Sequence, residues 1–279
     1  MNDLFGIRQL YPSTSNVTFQ HDWYSQWHVG ETRTKTFGPA GTLDPDLIFR
    51  GSGLYVINGS STDPLNRGTL CVSGACPRIY VRNSNLNNSF VSPNTTKSWK
   101  NTETTVYVNT INPGLRPVYY AGVQISQRTD HFPDTDLCCT RGIGSKWNFD
   151  GRCMCEKETV HLNDGSGNKQ SDTVFPFLNQ GPMPLNTWIG YKSVCRSCEN
   201  DTKCRVDMYL DTTNGMNGGR WILCHSFTDY DDWSSDYPTC CEAHRGNVLG
   251  RNYTTYLRTD GILDQRYKWF SVREIDPLP

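Results

Sequence analysis

The sequence predicts an all-β protein, a sandwich or a barrel, and three observations carry that reading. Aromatic residues make up 12% of the 279 positions while hydrophobic residues total only 36%, a balance suited to half-buried strands. Twenty-four glycines and fifteen prolines are spread along the chain, so turns are frequent. No segment carries the apolar stripe of a helix, whereas many alternate with period two. No internal repeat is visible, and one domain over 31–279 accounts for the pattern. The polar stretch 1–30 lies outside it and is expected to form an extended N-terminal arm.

The strands follow in order. Short extended pieces are expected at LYVI (54–57) and RIYV (78–81), with Cys71 and Cys76 placed to close a small hairpin between them. Clearer alternation begins at TTVYVNTI (104–111) and VYYAGVQISQR (118–128). It continues through TWIGYKSV (187–194), CRVDMYLDT (204–212), RWILCHSF (220–227), YTTYLRTD (253–260) and YKWFSVREI (267–275). Turn signals separate them at NDGSGN (163–168), NGMNGG (214–219) and Asp260–Gly261.

Strand parity sorts the side chains. In 118–128, Tyr119, Ala121, Val123 and Ile125 make an apolar face, and Tyr120, Gln124, Ser126 and Arg128 make the polar one. In 204–212, Val206, Met208 and Leu210 point one way and Arg205, Asp207, Tyr209 and Asp211 the other. Together the two strands offer tyrosine, glutamine, arginine and aspartate over an apolar core. Sugars, with apolar C–H faces and polar hydroxyls or carboxylates, suit such a surface.

Cysteines and sequons set the compartment. The twelve cysteines are Cys71, Cys76, Cys138, Cys139, Cys153, Cys155, Cys195, Cys198, Cys204, Cys224, Cys240 and Cys241, and disulfides are their expected state. Six N-x-S/T sequons fall at Asn16, Asn58, Asn87, Asn94, Asn200 and Asn252. Both sets predict a secreted glycoprotein, with a leader removed or left out of this numbering. A formal net charge of -1 gives no basic surplus for nucleic acid or an anionic membrane. No stretch approaches the ~18 apolar residues of a membrane span.

Several segments resemble a family of secreted proteins with a concanavalin A-like jelly roll, related to polysaccharide lyases and glucanases. They are KTFGPAG (35–41), PRIYV (77–81), SWKNTETTVYV (98–108), AGVQISQRTDH (121–131), DGRCMCEKETVH (150–161), PLNTWIGYK (184–192), DTTNGMNGGRW (211–221) and YKWFSVREI (267–275). The resemblance implies a disulfide-rich jelly-roll β-sandwich that binds an extracellular polysaccharide. For the lyases of this fold it further implies an arginine, a Gln-x-His and a tyrosine on a concave face. There arginine or glutamine neutralises a uronate carboxylate while histidine or tyrosine removes the C5 proton. In this chain the strand reads Gln124–Ile125–Ser126, with serine where the histidine is expected. The implied catalytic set is Arg128, His131, His161 and Tyr120, with Gln124, Lys157, Arg205, Asp207 and Tyr209 binding substrate.

The stretch CMCEKETVH (153–161) concentrates the alternatives. As a strand it puts Cys153, Cys155, Lys157, Thr159 and His161 on one face and Met154, Glu156, Glu158 and Val160 on the other. Either Lys157 with His161 or Glu156 with Glu158 lines a sugar groove. The second pair has the parity of a glycosidase's two carboxylates. Cys195-x-x-Cys198 has zinc-like spacing but no second pair of that spacing, so no cofactor is expected. The Asp-rich turn DYDDW (229–233) suits a structural calcium. A structural role is the alternative function: an arm docked on a neighbouring subunit would build a homopolymeric filament or sheath.

Overall fold

The computed structural model describes residues 1–16, 22–25, 47–50, 55–57, 69–72, 78–82, 99–115, 120–129, 142–158, 168–176, 181–230 and 254–279. The strands are β1 (Asp22–Tyr24), β2 (Leu47–Arg50), β3 (Tyr55–Ile57), β4 (Thr69–Val72), β5 (Arg78–Arg82), β6 (Thr102–Asn112), β7 (Gly122–Thr129) and β8 (Gly142–Asn148). After them come β9 (Cys153–Glu158), β10 (Asn168–Gln170), β11 (Ile189–Cys198), β12 (Lys203–Asp211), β13 (Ile222–Asp229), β14 (Thr254–Asp260) and β15 (Asp264–Glu274).

Two antiparallel sheets result. One runs β13-β12-β11-β6-β15-β4-β3, with β1 also paired to β15, and has eight strands among the described residues. The other, of seven strands, runs β10-β9-β8-β7-β14-β5-β2. The chain crosses between them repeatedly, and the late strands β14 and β15 are inserted into the middle of opposite sheets. This is a jelly-roll β-sandwich of the concanavalin A-like kind, the class the sequence predicts. Every strand expected from alternation is present. Strand β8, sequence GIGSKWN, was not expected: its two glycines and central lysine mask the period.

Period two also fixes the core. Val106 and Val108, Ile189 and Tyr191, Val206, Met208 and Leu210, and Tyr267, Phe270 and Val272 point inward from the eight-stranded sheet. Val123 and Ile125, Ile143 and Trp147, and Leu257 meet them from the other. Trp147 lies on Tyr191 with ring centroids 4.9 Å apart. Each such burial stabilises by roughly 1.5–3 kcal/mol.

The rest of the space between the sheets is polar, and a bulge explains it. Register shifts between Thr254 and Tyr256, so Gln127 and Arg128 together oppose Thr255 alone. Arg128 takes φ 51°, a left-handed conformation unusual for its type. Its guanidinium donates to Lys100 O (2.9 Å), Asn101 Oδ1 (3.0 Å) and Ser197 Oγ (2.9 Å), all on the eight-stranded side. Gln127 bonds Thr102 and Thr104 across the same space, and Ser145 meets Ser193 at 2.8 Å. Lys157 points inward from β9 and pairs with Asp229 at the end of β13, 2.6 Å away, both fully buried.

The N-terminal arm folds back on its own chain. Leu10 and Tyr11 donate their backbone N–H groups to the Glu103 carboxylate, and Thr14 N–H bonds Glu274 O at 3.0 Å. Glu103 is also held by Lys192 and, at 2.9 Å, by Arg273. Those two cations reach the arm carbonyls of Arg8 and Tyr11. Residues 1–14 thus dock within the subunit, across the outer face of the eight-stranded sheet, whereas Asp22–Tyr24 of the expected arm joins that sheet as β1. Burial alone pushes the Glu103 carboxyl up, but Lys192, Arg273 and the arm N–H groups bring it below the ordinary value.

Replacing Glu103 by glutamine leaves Lys192 and Arg273 buried without their anion and should cost about 3–5 kcal/mol in urea unfolding. Because the folded pKa of Glu103 is depressed, its contribution is present above the ordinary value of 4.5 and fades as pH falls below it. Wild type should therefore lose stability below that pH more steeply than Glu103→Gln, and equal slopes would contradict the assignment.

Candidate functional site

The structure separates the side chains that parity had placed together. Gln124 lies on the outer face of the seven-stranded sheet, whereas Arg205, Asp207 and Tyr209 lie on the outer face of the eight-stranded one. The two strands never share a surface, because parity assigns inside and outside but not which sheet. Arg128 leaves the predicted face through the bulge and is buried among inter-sheet partners. Lys157 is likewise interior, tied to Asp229, so of the two alternatives in CMCEKETVH the glutamates face outward. Tyr120 is exposed in the turn before β7. His131 and His161 lie outside the described residues.

Around Gln124 the register builds a polar row. Arg258, Gln124 and Lys146 are cross-strand neighbours, as are Tyr256, Ser126, Gly144 and Glu156. Gln124 Nε2 donates to Ser126 Oγ at 2.8 Å. A Cβ at Gly144 would sit 2.2 Å from that Nε2, so glycine opens the space the amide fills. Lys146 pairs with Glu156 at 2.7 Å, Gln170 joins the same carboxylate at 3.0 Å, and Arg258 pairs with Asp260 at 2.7 Å. Gln124 Oε1 is buried and has no hydrogen-bond partner among the described residues. Such a group costs about 1–3 kcal/mol unless a ligand or water satisfies it.

On the opposite sheet, Arg205 pairs with Asp207 at 2.9 Å and Ser226 completes the cluster. Tyr209 bonds Tyr11 of the arm, and Arg196 lies over the Tyr11 ring at 3.8 Å. These three predicted residues therefore hold one another and the arm.

A second group on this face was not singled out from sequence. Asp211, Gly190, Tyr107 and Lys268 form one cross-strand row over β12, β11, β6 and β15. Trp188 just before β11 and Trp221 just before β13 flank it. Register on β15 shifts between Lys268 and Ser271, and Trp269 takes φ 54°. That bulge turns Trp269 outward beside Lys268, although parity alone would send it into the core. Gly190 makes the assembly possible: a Cβ there would lie 2.8 Å from both the Trp221 and the Tyr107 rings. The hairpin loop closes one side. Asp211 accepts from Tyr107 Oη (2.8 Å) and from the N–H groups of Thr213, Gly215 and Arg220. Burial raises the Asp211 carboxyl, but these donors hold it net below its ordinary value.

Lys268 is the charge of this platform. Its Nζ stands 3.8 Å from the Trp269 ring centre, 4.5 Å from Trp188 and 5.7 Å from Tyr107, and donates to Asn214 Oδ1 at 2.6 Å. No carboxylate pairs with it among the described residues. Burial lowers its pKa to about 8. Aromatic faces beside an ammonium and an exposed amide can seat a sugar ring and pair with an acidic substituent. The platform residues come from four of the segments that carry the family resemblance: SWKNTETTVYV, PLNTWIGYK, DTTNGMNGGRW and YKWFSVREI.

For the expected metals and modifications, Asp229 is engaged by Lys157 rather than offered to calcium, and 231–233 lie outside the described residues. No group of three or more His, Cys, Asp or Glu side chains is placed to hold a metal among the described residues. Asn16 and Asn200 are exposed, while Asn58, Asn87, Asn94 and Asn252 lie outside. Cys153, Cys155, Cys195, Cys198, Cys204 and Cys224 are thiols here. Cys71 contributes backbone to β4, and Cys76, Cys138, Cys139, Cys240 and Cys241 lie outside.

The fold and its platform define an all-β sandwich carrying an aromatic surface around Lys268. No protein-family model matches the chain, and no curated protein matches it in sequence. Among solved structures it is similar to the VIP36 exoplasmic/lumenal domain in its Ca2+/Man-bound form, at 10% identity and TM-score 0.48 over 92% of this chain and 89% of that one. It is also similar to lectin II from Ulex europaeus (9%, TM-score 0.45, 92% and 98%) and to peanut lectin (10%, TM-score 0.39, 92% and 98%). These likenesses concern strand layout. No helix among the described residues is long and apolar enough to cross a membrane.

Intrinsic tryptophan fluorescence should report the platform directly. An ammonium over Trp269 perturbs its emission, so the signal should follow a one-proton transition near pH 8, absent in Lys268→Met. A flat profile in wild type would contradict the placement of Lys268.

Proposed function

We propose that this protein is a secreted glycan-binding glycoprotein and that its platform of Trp188, Trp221 and Trp269, backed by the buried Tyr107, seats an acidic, uronate-containing polysaccharide. One observation carries the reading: Lys268 stands among these rings with a neutral amide as its acceptor and no carboxylate partner among the described residues. An ammonium so placed favours an anionic group on a ring-shaped, partly apolar ligand. The cysteines and the two exposed sequons support an extracellular setting.

A second reading attaches to the other sheet. Gln124 has Arg258 and Lys146 as neighbours, and Tyr256 stands beside Ser126. The lyase resemblance calls for such a set, and β-elimination there would use Tyr256 in place of the missing histidine. The filament alternative needs an arm free to reach a neighbour, and the bonds of this arm to Glu103 and Glu274 weigh against it.

Binding to polygalacturonate, alginate and a neutral glucan, measured by calorimetry, separates these readings. The uronate polymers should bind and the glucan should not. Trp269→Ala and Lys268→Ala should each weaken binding roughly tenfold, about 1.4 kcal/mol. Binding should be full below pH 8 and decline as pH rises through about 8, where Lys268 loses its proton. No binding to any uronate polymer would overturn the proposal. Release of unsaturated products absorbing in the ultraviolet, lost in Gln124→Ala, would establish the second reading.

A further inference from the structure

We propose that the space between the sheets is closed by two specific disulfides, Cys153–Cys224 and Cys195–Cys204. The first would join β9 of one sheet to β13, the edge strand of the other. The second would join the neighbouring strands β11 and β12. The assignment rests on how the fold brings four of the six described cysteines into two pairs, which their chain order leaves open.

The sulfurs of Cys153 and Cys224 stand 3.6 Å apart, and those of Cys195 and Cys204 stand 3.4 Å apart. Both separations are van der Waals contacts. Closing either to the bonded distance of about 2.05 Å moves each sulfur by less than an ångström. Cys155, the neighbour of Cys153 in sequence, is the natural rival for Cys224. Both sulfurs reach Met208 Sδ, Cys155 at 3.5 Å and Cys153 at 3.9 Å, but it is Cys153 that also contacts Cys224. Cys198, the neighbour of Cys195 in the zinc-like spacing, is partly exposed at the strand end. Cys195 faces inward one strand from Cys204, on the diagonal of the ladder, since Ser197 is the direct partner of Cys204.

The setting also supplies the chemistry. The buried guanidinium of Arg128 acts on both Cys195 and Cys204. The Cys195 thiol is lowered below its ordinary value, first by its hydrogen bond from Cys204 and then by Arg128, against the effect of burial. Cys204 is correspondingly raised. Oxidation is thiol–disulfide exchange with a disulfide oxidant of the extracellular or secretory compartment. One cysteine of the pair, as its thiolate, attacks the oxidant, forms a mixed disulfide and releases one oxidant thiolate. Its partner then loses its proton and displaces the second. Each pair of thiols is oxidised by two electrons, the oxidant is reduced to two thiols, and the two protons go to them. Cys153 and Cys224 follow the same sequence of bonds. All four are deeply or partly buried in the folded chain, so exchange takes place while the sheets are coming together.

The assignment does not depend on glycan binding, and a test in a defined redox buffer separates it from the question of compartment. The full chain is refolded in reduced and oxidised glutathione, alkylated without reduction, and mapped by mass spectrometry. The sequence favours the assay. Trypsin places Cys195, Cys198 and Cys204 in three separate peptides, SVCR, SCENDTK and CR. Cyanogen bromide cuts after Met154 and so divides Cys153 from Cys155, and cleavage at Asp229 divides Cys224 from Cys240 and Cys241. The expected result is SVCR linked to CR, and Cys153 linked to Cys224. Any of these four cysteines found alkylated, or linked to a different cysteine, overturns the assignment for its pair. Reduction should lower Tm by roughly 5–15 °C, and Cys224→Ser should show part of that loss before reduction. A Cys224→Ser protein that melts like wild type and leaves Cys153 unlabelled would also overturn the inter-sheet pair.

Discussion

Glu103 is the point on which the outer face of the eight-stranded sheet depends. One carboxylate neutralises Lys192 from β11 and Arg273 from β15, and accepts the backbone N–H groups of Leu10 and Tyr11. All three charged side chains are buried, a state that is tolerable only when every member is paired and hydrogen-bonded. The arm completes that pairing. Its carbonyls receive the remaining donors of Lys192 and Arg273, so the arm is part of the solvent shield that makes the network worth having. The same anchoring places Phe5 and Ile7 against Tyr107, which gives the aromatic platform its floor.

The interior shows a related compromise. One part of the space between the sheets is filled by Trp147, Tyr191 and Phe270 in the usual apolar manner. The other part holds Gln127, Arg128, Lys157, Asp229 and the paired cysteines. Polar groups there are satisfied across the gap, from one sheet to the other, so they fix the relative position of the sheets as well as their separation. Hydrophobic contact alone is non-directional and leaves sliding inexpensive. The platform and the Gln124 row lie on the two opposite outer faces of this sandwich.

The proposed glycan binding at the platform and the proposed disulfide closure of the interior draw on different residues and are separable. The platform needs the bulge at Trp269, the glycine at 190 and the hairpin loop held by Asp211. Cys153, Cys155, Cys195 and Cys204 face the core and touch none of these. Lys268 is the residue whose environment is least explained by folding alone, since an ammonium half out of water gains little from a neutral amide. A ligand carboxylate would relieve that cost.

Much of this protein was legible in its sequence because period-two alternation is a local property. It located the strands from Thr102 onward apart from β8 and β10, sorted Val123 and Ile125 from Gln124 and Ser126, and split CMCEKETVH into a lysine face and a glutamate face without saying which is inner. Two things escaped it. Parity does not say which sheet a strand joins, so Gln124 and Asp207, alike in sequence, stand on opposite sides of the molecule. Nor does it anticipate a bulge. Arg128 and Trp269 each take a left-handed backbone at a register shift, and each ends on the face opposite to the one strict alternation would give. An extra residue in a strand is determined by how two distant strands align, and that alignment exists only once the sheets have formed. The sequence alone therefore determined an alternating all-β chain with its inner and outer residues. Tertiary structure alone decided that arginine would go inside and tryptophan out.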